Sequence, residues 1–272
     1  FGTRCSLISL WGTAFTLMTG CTTAFKMAKV SKNPEKNVRK ELQSRTIMGG
    51  LLFFVHIVLM VFFYNMSQDH PWSTHSLITG SLELGKFHVP SFVHLLTSST
   101  LESIAFTGVA ISVVLYLTWR KQYNFKKGVR NLAALGILVV VVSVVLNQTH
   151  PNPGAHAETL LFNKNYVKYY LFTRVHTVRF SIFPVFAFGI AGSILGITLA
   201  EKNTFKQTFK VGAVIASVSF ALFGIQVAGG LNILEDFAKE HVPLSLQFLN
   251  LGLQVLLILG MAKLLDYRKE NK

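Results

Sequence analysis

His176 and Arg179 stand three residues apart in "RVHTVRFSIFPVFAFGIAGSILG", a spacing that puts them on one face of a helix, with Phe180 and Phe183 beside them and Pro184 just beyond. An imidazole can take up a proton near neutral pH, and a guanidinium can grip an anion or a polarised carbonyl. Arg179 as a headgroup anchor is the competing reading, because arginines at the edge of an apolar run snorkel to the interface. Glu102, in "STLESIAF", follows Ser99 by three residues, the Ser-x-x-Glu spacing of a capping box that ties down a helix start. A carboxylate placed there can also orient or deprotonate a catalytic group. His176, Arg179 and Glu102 are therefore the expected site residues.

Other side chains invite sharper chemistry and lose it on inspection. His56, in "LLFFVHIVLM", is the one histidine deep within an apolar run. A bis-histidine haem needs two facing imidazoles, and no second histidine of that kind exists, so a packed or hydrogen-bonded side chain is expected. Lys263 resembles in position the Schiff-base lysine of retinal proteins. It lies beside Asp266 and Arg268, however, and no earlier run offers a buried carboxylate pair, so it is expected to snorkel. His70, His75, His88 and His94 show no His-Glu-x-x-His spacing, and neither metal nor haem is expected.

The elements that must position these groups are read from composition. The 272 residues are 51% hydrophobic and 14% charged, with 23 Phe. Apolar runs fall at about 6–25, 46–66, 101–119, 131–147, 180–200, 211–231 and 247–265. At 1.5 Å per residue each comes close to the thickness of a hydrocarbon core, and all are too uniformly apolar for barrel strands of about ten alternating residues. The predicted fold is all-α, a single transmembrane domain of about seven spans. Of the 26 lysines and arginines, 19 fall in alternate connections around 26–45, 120–130 and 202–210 and in the segment from 263 onward. Such an excess marks the cytoplasmic side, so the N-terminus is expected outside and the C-terminus in the cytoplasm. It also accounts for the net charge of +14 without a nucleic-acid partner. The outer connections, 67–100 and 148–179, carry most of the histidines, which places the expected site outside. Cys5 and Cys21 imply no disulfide framework. Gly189, Gly192, Ser193 and Gly196 form a small-residue stripe that predicts close helix packing. Gln226, Asn232, Asn250 and Gln254 either line a cavity or bridge helices.

The order of these features resembles a known superfamily. "WGTAFTLMTGCTTAF" followed by "RKELQSRTIMGGLLFF" is similar to the second span and basic turn of polytopic membrane acyltransferases. "LLTSSTLESIAFTGVAISVVLYL" is similar to their third span, and "RFSIFPVFAFGIAGSILG" to their Phe-Pro, Gly-x-x-x-Gly span. The closest branch is the one containing heparan-α-glucosaminide N-acetyltransferase, and the likeness runs to about residue 200. It implies transfer of an acetyl or other acyl group from cytosolic acyl-CoA to an extracytoplasmic acceptor, a carbohydrate amine or hydroxyl, in a prokaryotic plasma membrane. Lys40, Arg45, Lys126 and Lys127 then become expected contacts for CoA phosphates. The family's first span, with its Asp, Arg-Gly and following catalytic histidine, would precede Phe1, so the chain reads as N-terminally trimmed. Membrane lipid is an expected partner, and the reading leaves room for a homo-oligomer. The rival function is a transporter or channel subunit with the four amide side chains lining a solute path.

Overall fold

A computed structural model describes residues 2–33, 35–63, 75–92, 96, 99–149, 153–176, 182–201, 205–229 and 244–270. Among the described residues the chain is ten helices and no strand: α1 (Gly2–Lys32), α2 (Val38–Phe62), α3 (Ile78–Leu84), α4 (Thr100–Trp119), α5 (Phe125–Thr149), α6 (Pro153–Phe162), α7 (Tyr166–Val175), α8 (Ile182–Ala200), α9 (Phe205–Ala228) and α10 (Leu244–Glu270). Among the described residues, each of the seven apolar runs falls largely on one long helix. Among the described residues, four helices are long and apolar enough to cross a membrane: α2, α4, α5 over Phe125–Leu146 and α9 over Gln207–Ala228. Shorter apolar stretches cover Val185–Ala200 of α8 and Leu246–Met261 of α10. The short helices α3, α6 and α7 lie in connections for which the apolar pattern predicts no element.

The helix starts follow local chemistry. The Asn37 side chain accepts from the Arg39 N–H at 2.9 Å, Asn124 Oδ1 accepts from the Lys127 N–H at 2.9 Å, and Ser99 Oγ accepts from the Glu102 N–H at 3.4 Å. Each satisfies one of the backbone donors left open by a first turn. Within the helices, Thr16, Ser112, Ser143, Ser193 and Ser219 donate to the carbonyl four residues back, so their hydroxyls are satisfied without leaving the helix.

The core forms around α8. On one side Ile190 and Ile197 pack with Ala24, Met27, Ile111 and Leu115; on the other Phe188 and Leu195 pack with Leu17, Val255 and Leu259. α1 and α8 approach most closely, as the small-residue stripe predicts. A methyl group on Gly192 would sit 1.9 Å from the Leu17 carbonyl oxygen, and one on Gly196 2.1 Å from that of Cys21. The outward faces carry Ile47, Leu51 and Phe54 of α2, Ile137 and Val141 of α5, and Val214 and Val218 of α9, all exposed. An apolar belt of this extent suits hydrocarbon better than water.

α1, α4 and α8 finish at the same end of the bundle, and there Lys32, Tyr123 and Glu201 lock them together. Lys32 Nζ donates to Glu201 Oε1 at 2.9 Å and to the Ala200 carbonyl at 2.8 Å, while the Tyr123 hydroxyl donates to Glu201 Oε1. Burial pushes the Tyr123 phenol up, and the neighbouring carboxylate adds to it. Burial alone would also push the Glu201 carboxyl up, but the bond from Tyr123 and the bond and charge of Lys32 outweigh it and hold the group below its usual range. A carboxyl depressed in the folded state adds stability above its unfolded-state pKa and loses it as pH falls through the folded one. Tyr123→Phe is accordingly expected to cost about 1.5–3 kcal/mol at neutral pH. Unfolding midpoints of parent and variant in detergent should converge as pH drops below the ordinary glutamate range; a pH-independent gap would contradict this account.

Candidate functional site

The site is built where α4 begins. Ser99 caps α4, which fixes Glu102 in its first turn with the side chain pointing inward. Tyr170 and Arg174 lie four residues apart on α7, hence on one face, and that face meets Glu102. Arg174 Nε donates to Glu102 Oε1 and Arg174 Nη2 to Glu102 Oε2, each at 3.0 Å, a bidentate pair. Arg174 Nη1 donates to the Leu96 carbonyl and, at 3.0 Å, to Thr173 Oγ1. The guanidinium carbon stands 3.8 Å from the centre of the Tyr170 ring, and the Tyr170 hydroxyl donates to Glu102 Oε1 at 3.3 Å. Burial, and then the Glu102 charge, push the Tyr170 phenol up, so it stays protonated and serves as a donor. The two charged side chains are only 5% and 6% exposed.

The same capping serine reaches a second helix. Ser99 Oγ lies 2.7 Å from Nδ1 of His56, which is 1% exposed within α2. Ser99 Oγ accepts from the Glu102 N–H and shares a second hydrogen bond with His56 Nδ1, whose donor is set by the imidazole tautomer. His56 is thus the buried, hydrogen-bonded histidine expected of it. One short stretch of backbone, Ser99 to Glu102, holds His56 of α2 and Arg174 of α7 together.

The expected site residues divide around this cluster. Glu102 is part of it, but only half of the capping box forms: the Ser99 side chain caps the Glu102 N–H, whereas the Glu102 carboxylate turns to Arg174 and Tyr170. His176, two residues beyond Arg174, is buried at the C-terminal cap of α7. Its Nδ1–H donates to the Phe172 carbonyl at 3.2 Å and its ring stacks on Phe172 at 3.8 Å between centres. His156 of α6 packs on the same Phe172 ring at 4.7 Å. Arg179 lies outside the described residues. The arginine that joins Glu102 is Arg174, which the spacing argument passed over in favour of Arg179. The available signal was the need of a carboxylate at a bundle mouth for a cationic partner, which "RVHTVR" supplies twice.

At the opposite end, Lys40 is exposed in the first turn of α2, and Lys126 and Lys127 in that of α5. Arg45 is engaged: its Nε lies 2.9 Å from Glu41 Oε1, which Lys26 Nζ approaches at 3.2 Å. Asn250 Nδ2 and Gln254 Nε2 of α10 both donate to Thr13 Oγ1 of α1, at 2.8 and 2.9 Å, and so bridge helices. Gln226 is half-buried, and Asn232 lies outside the described residues. A groove of about 420 Å³ runs between α5 and α9 over α8, lined by aliphatic side chains such as Ile137, Ile190, Ile194 and Val218. It holds none of the ionisable groups named above.

Among the described residues, fold and site together define an all-helical chain with four helices long and apolar enough to cross a membrane and a buried, bidentate ion pair at one end of its bundle. No known protein family, curated protein or solved structure matches the chain.

Proposed function

We propose that the chain is the helical core of a multi-pass membrane acyltransferase that moves an acetyl or other acyl group from cytosolic acyl-CoA to an extracytoplasmic acceptor, a carbohydrate amine or hydroxyl. In this reading seven helices span, the Glu102 end faces outward, and Lys40, Lys126 and Lys127, with Arg45 beside Glu41, meet CoA phosphates in the cytosol. The observation that carries it is the buried Glu102–Arg174–Tyr170 cluster, with His176 two residues along the chain from Arg174. Donation of Nδ1–H to Phe172 sets the His176 tautomer in which Nε2 bears the lone pair, the form a general base needs. His176 would take the acceptor's proton as the acyl–sulfur bond breaks and the acyl–oxygen or acyl–nitrogen bond forms, and pass it to the departing thiolate. Arg179 would hold the acyl carbonyl or an acceptor anion. The amides of Asn250 and Gln254, committed to Thr13, favour this reading over a solute path.

Proteoliposomes loaded with acceptor sugars and fed labelled acyl-CoA from outside test it. His176→Ala should lower transfer by about 10²–10⁴-fold while the protein stays folded, the range for loss of a general base, and Arg179→Ala should lower it too. Full-length protein that neither binds nor turns over acyl-CoA in proteoliposomes would sink the acyltransferase and move the transporter forward.

A further inference from the structure

Acyl transfer makes no use of the groove between α5 and α9. Both helices pack on α8 and stand apart from each other, which leaves the recess of about 420 Å³ between them. Its floor is Ile190 of α8 with Phe248 and Leu251 of α10, all buried, and its rims are Ile137 and Val141 of α5 and Val214 and Val218 of α9, all exposed. Of the residues that line it only Ser219 carries a polar side chain, and its hydroxyl donates to the Ile215 carbonyl at 2.8 Å. Such a recess has nothing to hold water or a polar solute with. Both of its walls are helices long and apolar enough to cross a membrane, so what it meets is hydrocarbon.

The length and position of the groove fit one leaflet. On α5 the lining runs from Ala133 to Val141 and on α9 from Val214 to Leu222, in each case about 12 Å of helix. That is close to half of a hydrocarbon core about 30 Å thick. α5 and α9 also begin at the same end of the bundle, because Phe125 follows Tyr123 and Phe205 follows Glu201, two members of the lock with Lys32. The lining starts within about three turns of that end on both helices.

On each helix a cation stands one turn before the lining. Arg130 precedes Ala133 by three residues and Lys210 precedes Val214 by four, spacings that keep each cation on the face of its groove wall. Both are exposed, and among the described residues neither pairs with a carboxylate. The groove therefore has an apolar trough one leaflet deep and a positive charge on either side of its mouth.

We propose that the groove between α5 and α9 binds a single phospholipid with an anionic headgroup, one acyl chain lying along α8 between the rims and the headgroup phosphate between Arg130 and Lys210. The apolar walls select a lipid over a soluble phosphate. The two cations select an anionic headgroup over a zwitterionic one, whose own cation offsets its phosphate.

Native mass spectrometry of the full chain released from detergent, titrated with dioleoyl phosphatidylglycerol or dioleoyl phosphatidylcholine, tests this. One phosphatidylglycerol should bind about 25-fold more tightly than phosphatidylcholine, from about fivefold for each cation beside an anionic lipid. Arg130→Gln/Lys210→Gln should erase most of that preference. Arg120→Gln/Lys121→Gln removes the same charge at the same end of the bundle and should keep it. Val218→Trp fills the groove from an exposed rim position that the fold does not depend on, and should weaken both lipids by about tenfold through overpacking of the chain's seat. Equal binding of the two lipids by the parent, an equal loss of preference in the charge-matched control, or unchanged binding in Val218→Trp would each overturn the proposal. So would displacement of the lipid by inorganic phosphate, which would make the cations a site for a free anion, or a dimer that Val218→Trp disperses, which would make the groove the seat of a second copy.

Discussion

Arg174→Ala is expected to lower the unfolding free energy by about 3–5 kcal/mol, because it strands the Glu102 charge in a site that water barely reaches. Glu102→Ala should cost a similar amount by stranding Arg174. The double variant Glu102→Leu/Arg174→Met should cost less than either alone, since two apolar side chains of comparable volume leave no charge behind. Arg174→Lys should recover only part of the loss. An ammonium gives a point charge but neither the two-pronged contact with both carboxylate oxygens nor the flat stack on Tyr170. Equilibrium unfolding in detergent, followed by far-ultraviolet circular dichroism, reads all four. A cost for Arg174→Ala within the roughly 1 kcal/mol typical of surface pairs would mean that the pair is solvated and the cluster is not the dry site described.

How much of this was legible in the sequence depends on how far apart the partners lie. The long helices follow from apolar runs, because their signal is local composition, and the Ser99 cap follows from a four-residue motif. The close contact of α8 was legible from Gly189, Gly192 and Gly196, although the partner helix was not. Glu102 was singled out and lies in a buried ion pair, yet the arginine that pairs with it was not, since α7 is ten residues long and nothing in its sequence tells which face meets α4. His56 and Ser99 are 43 residues apart, and Asn250 and Thr13 are 237 apart. Pairings of that kind are made by helix packing, not by spacing. His75 and His88 meet through a reversal at Gly85, a contact that their spacing in the sequence does not show.

The lock at the far end ties the last residue of α1 to the end of α8, so it depends on how closely α1 and α8 pack. That makes Gly192, like Gly20 against Gly189, one of the tightest positions between α1 and α8. Gly192→Leu should destabilise by at least about 3 kcal/mol, beyond the usual cost of overpacking, because the obstacle is the Leu17 backbone carbonyl, which cannot turn aside as a side chain would. Even Gly192→Ala should be costly, since the methyl itself falls at 1.9 Å, and α1 and α8 would have to separate by more than an ångström. Gly224 of α9 is the control: nothing lies within 4 Å of a methyl added there, and alanine is the better helix former by up to about 1 kcal/mol. Gly224→Ala should therefore be neutral or mildly stabilising. If thermal unfolding in detergent ranks the two alanine variants together, the backbone contact between α1 and α8 is not what holds the bundle. If Gly192→Ala falls well below Gly224→Ala, separation of α1 from α8 should also loosen the bond from Lys32 to the Ala200 carbonyl, and the pH-dependent advantage of the parent over Tyr123→Phe should shrink in the Gly192→Ala background.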